Sequence, residues 1–156
     1  MDVLIYRRKG ARMPTRGSEE AAGYDLYALL PDGDAKLYPL RVNKIPTGIF
    51  IAQHPLGVCL ACCRSGLAAK GVHIVNSPGI IDSDYRGELF MLLTYIAPPD
   101  TEPFIIKDGD RIGQLLFFNP GKVDMGTTFV ECADEVIFRA TRSTRRGTDG
   151  FGSTGR

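Results

Sequence analysis

Glu88-Leu89-Phe90-Met91-Leu92-Leu93-Thr94-Tyr95-Ile96 and Arg111-Ile112-Gly113-Gln114-Leu115-Leu116-Phe117-Phe118-Asn119 are the stretches that decide the fold. Each holds a nearly unbroken apolar run with no helical period. Short apolar runs between turn formers read as strands covered on both faces, by a second sheet or by a partner subunit. The same grammar recurs outward from them. Short β-branched and aromatic segments, bounded by Gly, Pro, Asp or Asn, predict strands over residues 3–6, 24–28, 36–40, 45–52, 57–62, 73–75, 79–81, 88–96, 104–106 and 111–119. Many short strands and no internal repeat predict an all-β domain: a sandwich, jelly roll or barrel. The one helical prospect is Ser65-Gly66-Leu67-Ala68-Ala69-Lys70-Gly71, with Ser65 as N-cap and Gly71 as terminator.

The chain has 156 residues, the size of one domain. Its 18 Gly and 10 Pro exceed the usual share, yet fall short of a low-complexity chain. A net charge of +1 gives no global pull towards nucleic acid or an anionic membrane. Three apolar residues, Val3-Leu4-Ile5, precede Arg7-Arg8-Lys9, which is not the order or length of a secretory signal. No apolar run approaches the ~20 residues of a membrane span. The expectation is a soluble intracellular protein whose four cysteines (Cys59, Cys62, Cys63, Cys132) stay reduced.

The chain divides into a β-domain over residues 1–140 and a flexible tail over 141–156. Residues 139–156 carry five Arg against one Asp, with Phe151 as their one large apolar side chain. Such a segment buries too little surface to offset its ordering entropy. A nucleic-acid module resting on that basic tail alone is thinly supported, with one aromatic to stack on bases.

Several local patterns carry chemistry, and some fail on context. Gly150-x-Gly152-x-x-Gly155 matches a dinucleotide fingerprint, but that motif needs a strand before it and a helix after it. Its Gly, Ser and Thr still suit wrapping phosphate oxygens, with Arg146 supplying charge. Asp82-Ser83-Asp84-Tyr85-Arg86-Gly87 opens like a calcium loop, but Arg86 and Leu93 stand where ligands are required. It reads otherwise as a turn, or as a carboxylate beside an aromatic and a base at a strand end. Cys59-x-x-Cys62 lacks a second ligand pair, and on a strand the two residues face opposite ways. Arg64-Ser65-Gly66 at the start of a helical turn suits an anion. Polar Gln114 interrupts an apolar strand and requires a hydrogen-bond partner.

In this order the pieces resemble the trimeric deoxyuridine triphosphatases. Five motifs carry the resemblance: Ala22-Gly23-Tyr24-Asp25-Leu26-Tyr27-Ala28; Arg64-Ser65-Gly66-Leu67-Ala68; Asn76 through Gly79-Ile80-Ile81-Asp82-Ser83-Asp84-Tyr85-Arg86-Gly87; Gly109-Asp110-Arg111-Ile112-Gly113-Gln114-Leu115; and Arg146-Gly147-Thr148-Asp149-Gly150-Phe151-Gly152-Ser153-Thr154-Gly155. The resemblance implies a jelly-roll-like β-barrel, a homotrimer with active sites shared between subunits, and hydrolysis of dUTP to dUMP and pyrophosphate. That reaction keeps uracil out of DNA and supplies dUMP for thymidylate synthesis. By the same resemblance, Asp82 activates the water that attacks the α-phosphorus, and Asp25 holds a hydrated Mg²⁺. Arg64, Ser65, Gly66 and Gln114 grip the phosphates. Asn76 and the backbone near Gly79 read uracil, and Tyr85 packs under the deoxyribose. From the tail, Phe151 stacks on the base while Arg146, Gly152, Ser153 and Thr154 close over the phosphates. No membrane and no direct nucleic-acid partner is implied.

Two positions depart from the family pattern: Cys63, where many members have Pro, and Asp149, where Gly is common. No lost activity is expected from Cys63, and Asp149 is expected to weaken tail closure slightly. Two rivals remain. A deoxycytidine triphosphate deaminase shares the fold, but Leu92 occupies the place of its proton-shuttling Glu. A regulatory nucleotide binder would hold dUTP without turning it over.

Overall fold

The structure is a computed structural model that describes residues 2–55, 57–118, 127–140, 144 and 148. Its strands are β1 (Asp2–Arg7), β2 (Thr15–Arg16), β3 (Tyr24–Tyr27), β4 (Ala35–Leu37), β5 (Val42–Ala52), β6 (Val58–Cys62), β7 (Val72–Ile74), β8 (Gly79–Ile81), β9 (Glu88–Tyr95), β10 (Phe104–Ile106), β11 (Arg111–Phe118) and β12 (Thr128–Cys132). Two short helices complete it, α1 (Ser65–Ala68) and α2 (Glu135–Ala140). One five-stranded sheet runs β12-β1-β5-β9-β7 and the other β2-β3-β11-β6-β8, with β10-β4 as a small separate ladder.

The two large sheets enclose one core, to which Val3, Ile5, Ile49, Ile51, Leu89, Met91 and Leu93 come from the first and Leu26, Cys59, Ala61, Ile112, Leu115 and Phe117 from the second. On β9 the buried residues alternate, Leu89, Met91 and Leu93, with Phe90 and Leu92 half-buried between them. The continuous apolar run therefore has one face in the core. The outer face is partly covered by Lys44, whose Nζ sits 3.9 Å from the Phe90 ring centre. A smaller cluster packs Phe138 of α2 on Phe50 and Ala52. It fastens α2, and with it the exit of the chain towards residue 141, to the outside of the first sheet.

Glu88 is buried at the start of β9 because it closes a break in the ladder. The β5–β9 register shifts between Pro46 and Phe50. There the N–H of Gly48 donates to Glu88 Oε1 at 2.9 Å, and Arg8 pairs with Oε2 at 3.1 Å. Gly48 has φ +67°, and a Cβ there would press on Leu29 and Ala11. A buried carboxylate is tolerable with this combination of donor and counter-charge.

The predicted helix needs correction. It spans Ser65–Ala68, and its N-cap is Arg64, with no side-chain cap bond, not Ser65. Four residues give one turn, whose dipole is slight, so anion binding at this place must come mainly from side chains. Three further elements, β2, β12 and α2, lie outside the predicted set.

Candidate active site

Asp25, Arg64, Arg111 and Gln114 meet because three strands of the second sheet are adjacent. β11 lies between β3 and β6, and Gln114 pairs with Asp25 on one side and with Cys62 on the other. Arg64 follows β6 by two residues and so arrives at the same end. Arg111 and Gln114 are three apart, which on a regular strand would place them on opposite faces. The β3–β11 register shifts between Arg111 and Gly113, and this irregularity lets both side chains face one cavity.

That cavity, about 190 Å³, is lined by Gly17, Ala21, Gly23, Asp25, Arg64, Ser65, Arg111 and Gln114. Asp25 is buried on its wall. Arg64 Nε donates to Asp25 Oδ1 at 2.7 Å, and Arg111 Nη1 donates to Oδ2 at 3.3 Å. Gln114 donates its amide N–H to the Cys63 carbonyl at 2.9 Å, which directs Oε1 towards Gly23. A Cβ on Gly23 would lie 2.5 Å from that oxygen, so the glycine makes room for the carboxamide. Ser65 and Gly66 are exposed at the mouth.

A second cavity, about 170 Å³, lies between β8 and β9 and is lined by Asn76, Gly79, Asp82 and Tyr85 against Ala61, Ile74, Leu89 and Met91. A Cβ on Gly79 would lie 3.1 Å from the Asn76 amide nitrogen, so the two are in close approach. The Tyr85 hydroxyl donates to the Glu88 carbonyl at 2.9 Å, and the ring lies directly over Gly87, where no side chain would fit. Burial, and secondly the Glu88 carboxylate, push the Tyr85 phenol above its ordinary pKa. Asp82 is exposed on the rim, where it also borders an open depression with Gly57, Ser83 and Asp84. Thr144 Oγ1 donates to the Asp84 carbonyl at 2.6 Å, beside the Asp82 turn.

A cavity of arginines, a carboxamide and one carboxylate beside a small apolar-floored slot with an exposed Asp is the equipment of a nucleotide hydrolase. The chain matches the family model for dUTPase over residues 9–155. It belongs to the dUTPase family. Among its relatives, the deoxyuridine 5'-triphosphate nucleotidohydrolase of Desulfitobacterium hafniense is 40% identical over 155 residues, covering 98% of this chain and 93% of the relative. That of Wolbachia sp. subsp. Drosophila simulans is 42% identical over 145 residues, covering 92% and 87%. Among solved structures, a mutant dUTPase of Staphylococcus aureus phage phi11, described with a structural Mg(II) ion, superposes with a TM-score of 0.66 at 22% identity, covering 81% of this chain and 95% of that one. A mutant dUTPase of Staphylococcus bacteriophage 80alpha with dUpNHpp gives 0.63 at 23%, covering 99% and 98%. At such identities these two show the shared all-β, jelly-roll-like dUTPase fold. The protein is a hydrolase that acts on dUTP.

The predicted site residues thus fall into two groups. Asp25, Arg64, Ser65 and Gln114 line the first cavity, with Gly66 next to it, while Asn76, Gly79, Asp82 and Tyr85 line the second. Among the described residues none lines both. Arg146, Phe151, Gly152, Ser153 and Thr154 lie outside the described residues, as does Asp149. Arg111 was not among the predicted residues. Its basic side chain three positions before Gln114 would have pointed to it only had the irregular register been foreseen.

As to metal, no group of three or more His, Cys, Asp or Glu among the described residues could hold one. A single carboxylate in an open polar cavity fits a hydrated Mg²⁺ that draws its other ligands from water and phosphate. Cys59 and Cys62 do not converge on one point: Cys59 is in the core, and Cys62 pairs with Gln114 on β11. The four cysteines are free thiols. No helix among the described residues is long and apolar enough to cross a membrane.

Proposed function

We propose that the protein cleaves dUTP between its α- and β-phosphates, giving dUMP and pyrophosphate, with Asp82 as the base that activates the attacking water. The observation that supports this reading is the pair of complementary cavities: one with the charge to hold a triphosphate, the other with the size and floor for a small pyrimidine nucleoside. Asp82 is exposed on the rim of the second, where solvent reaches its carboxylate. Carboxylates suit general-base work when they lie within hydrogen-bond reach of the proton they take.

In this reading Asn76 and the backbone at Gly79 hold the uracil edge. Tyr85, tied back to the Glu88 carbonyl, forms a fixed floor under the sugar and leaves no space for a 2′-hydroxyl. Arg64, Ser65, Gly66 and Gln114 hold the phosphate chain, and Arg111 adds a second guanidinium. Asp25 would hold a hydrated Mg²⁺, which supplies charge neutralisation at the phosphate oxygens when bound. Before substrate arrives, Asp25 is satisfied by Arg64 and Arg111, so both partners are kept in place without a ligand. Catalysis then rests on positioning and on fixed charge. The segment 141–156, through Arg146, Phe151, Gly152, Ser153 and Thr154, closes the site over base and phosphates.

The two cavities share no described lining residue, which supports a shared site: the phosphate half of one subunit facing the nucleoside half of another, in a homotrimer. The half-buried outer face of β9 and exposed Val42, Val75 and Ile80 are surfaces that such assembly would cover. The product dUMP would feed thymidylate synthesis, and removal of dUTP would keep uracil out of DNA. Purified protein should release pyrophosphate from dUTP and not from dCTP, and should sediment at about three chain masses. Turnover of dCTP would favour a deaminase-like reading, and dUTP binding without turnover a regulatory one.

A further inference from the structure

Cys63 joins the two cavities within one chain, and the sequence marks it only as a departure from the family pattern. It follows β6 directly, at the end of the second sheet, and faces β7, the edge strand of the first. Along β7 the N–H groups alternate. That of Val75 donates to Leu92 on β9 at 2.8 Å, so that of Ile74 points away from the sheet and needs another partner. Cys63 Sγ accepts it at 3.1 Å. The Cys63 N–H donates to Ser77 Oγ at 3.2 Å, and its carbonyl accepts the Gln114 amide at 2.9 Å.

Each of these three partners belongs to a cavity wall or adjoins one. Ile74 lines the nucleoside cavity, Ser77 lies between Asn76 and Gly79 that line it, and Gln114 lines the phosphate cavity. We infer that Cys63 is a positioning residue for dUTP, bracing the base-reading segment 74–79 against the phosphate-gripping carboxamide and so tightening selection for uracil. The inference rests on the nucleotide reading above. If the sites are shared among subunits, the brace spans two neighbouring sites of the trimer, and loosening it affects the base half of one and the phosphate half of the next.

Cys63 is half-buried and packs against the edge of the core, whereas Cys59, four residues earlier, is fully buried, so melting temperatures taken beside the kinetics separate its packing from its positioning. The bond from the Cys63 N–H can be removed independently at Ser77, which makes no contact assigned to substrate.

Steady-state pyrophosphate release from dUTP and from dTTP, with melting temperatures, for the parent, Cys63→Ala and Ser77→Ala is the test. Losing one such bond should raise KM for dUTP roughly five-fold, with kcat within about two-fold, as expected for about one net hydrogen bond used in ground-state positioning. The preference for dUTP over dTTP should narrow in both variants. Should Cys63→Ala fail to fold, Ser77→Ala decides alone. Parent-like KM and parent-like selectivity in the folded variants, even with a lower melting temperature, would overturn the inference and leave Cys63 a structural residue. Absence of dUTP turnover in the parent would instead strike the functional reading on which this one rests.

Discussion

Arg64 Nε lies 2.7 Å from Asp25 Oδ1, so the residue assigned to phosphate and the residue assigned to metal hold one another in the absence of both. Asp25 is nearly buried, its side chain 11% exposed against 25% for Arg64. Removing Arg64 leaves the carboxylate to Arg111 alone. Arg64→Ala should lower kcat/KM for dUTP by about 10–100-fold, the worth of one charge-assisted contact. It should also cost about 1–3 kcal/mol of stability in denaturant unfolding. Arg64→Lys should recover most of the stability and less of the activity, because lysine restores the charge without the fork.

Gly23 admits the Gln114 carboxamide. In Gly23→Ala the new methyl would meet Gln114 Oε1 at 2.5 Å, and the amide is held from behind by the Cys63 carbonyl. The side chain must turn away. Steady-state kinetics should show KM for dUTP raised several-fold with a melting temperature near the parent's; an unchanged KM would mean that Gln114 does not touch the phosphates.

Tyr85 leaves Gly87 no space for a Cβ, with two ring carbons and the hydroxyl oxygen in the way. An aromatic ring cannot flex out of a contact as a long side chain can. Gly87→Ala should therefore displace the floor of the nucleoside cavity, lowering kcat/KM for dUTP and relaxing discrimination against UTP. Equal losses on dUTP and UTP would show that Tyr85 has no part in sugar selection.

Alkaline stability follows from two groups whose charged forms are penalised by burial. Cys59 is raised by burial and then by Cys62, and Tyr85 by burial and then by Glu88. A folded-state pKa above the unfolded value means the native protein keeps its proton longer. Stability is then full below the unfolded cysteine value of about 8.5 and falls as pH rises above it. Melting curves from pH 7 upward should show this fall, and Cys59→Ala should reduce its slope. A flat profile for the parent would contradict the assignment.

The apolar strands were legible because local sequence determines them: β8 and β10 have the predicted limits, β9 ends one residue before the predicted limit, and β11 agrees over Arg111–Phe118, the predicted end at 119 lying outside the described residues. What escaped was non-local. β2 is two exposed residues that are extended only because β3 offers an edge. β12 pairs in parallel with β1 across most of the chain's length, with Thr128 opposite Asp2. α2 buries Phe138 alone while Val136 and Ile137 are exposed, too little for a helical period. The site was read by motif, so Asp25, Arg64, Gln114, Asp82 and Tyr85 were named. Arg111 was not, and Cys63 was marked only as a departure without expected cost, since their roles arise from an irregular register and from an edge-strand N–H that no spacing rule reveals.

The central claim is that Asp82 activates water at the α-phosphorus. Pyrophosphate release by Asp82→Asn, with binding of a non-hydrolysable dUTP analogue measured on the same preparation, tests it directly. Turnover should fall by about 10²–10⁴-fold, the usual contribution of a general base, while analogue affinity stays within a few-fold of the parent. Turnover near the parent's rate, with binding intact, would contradict the account.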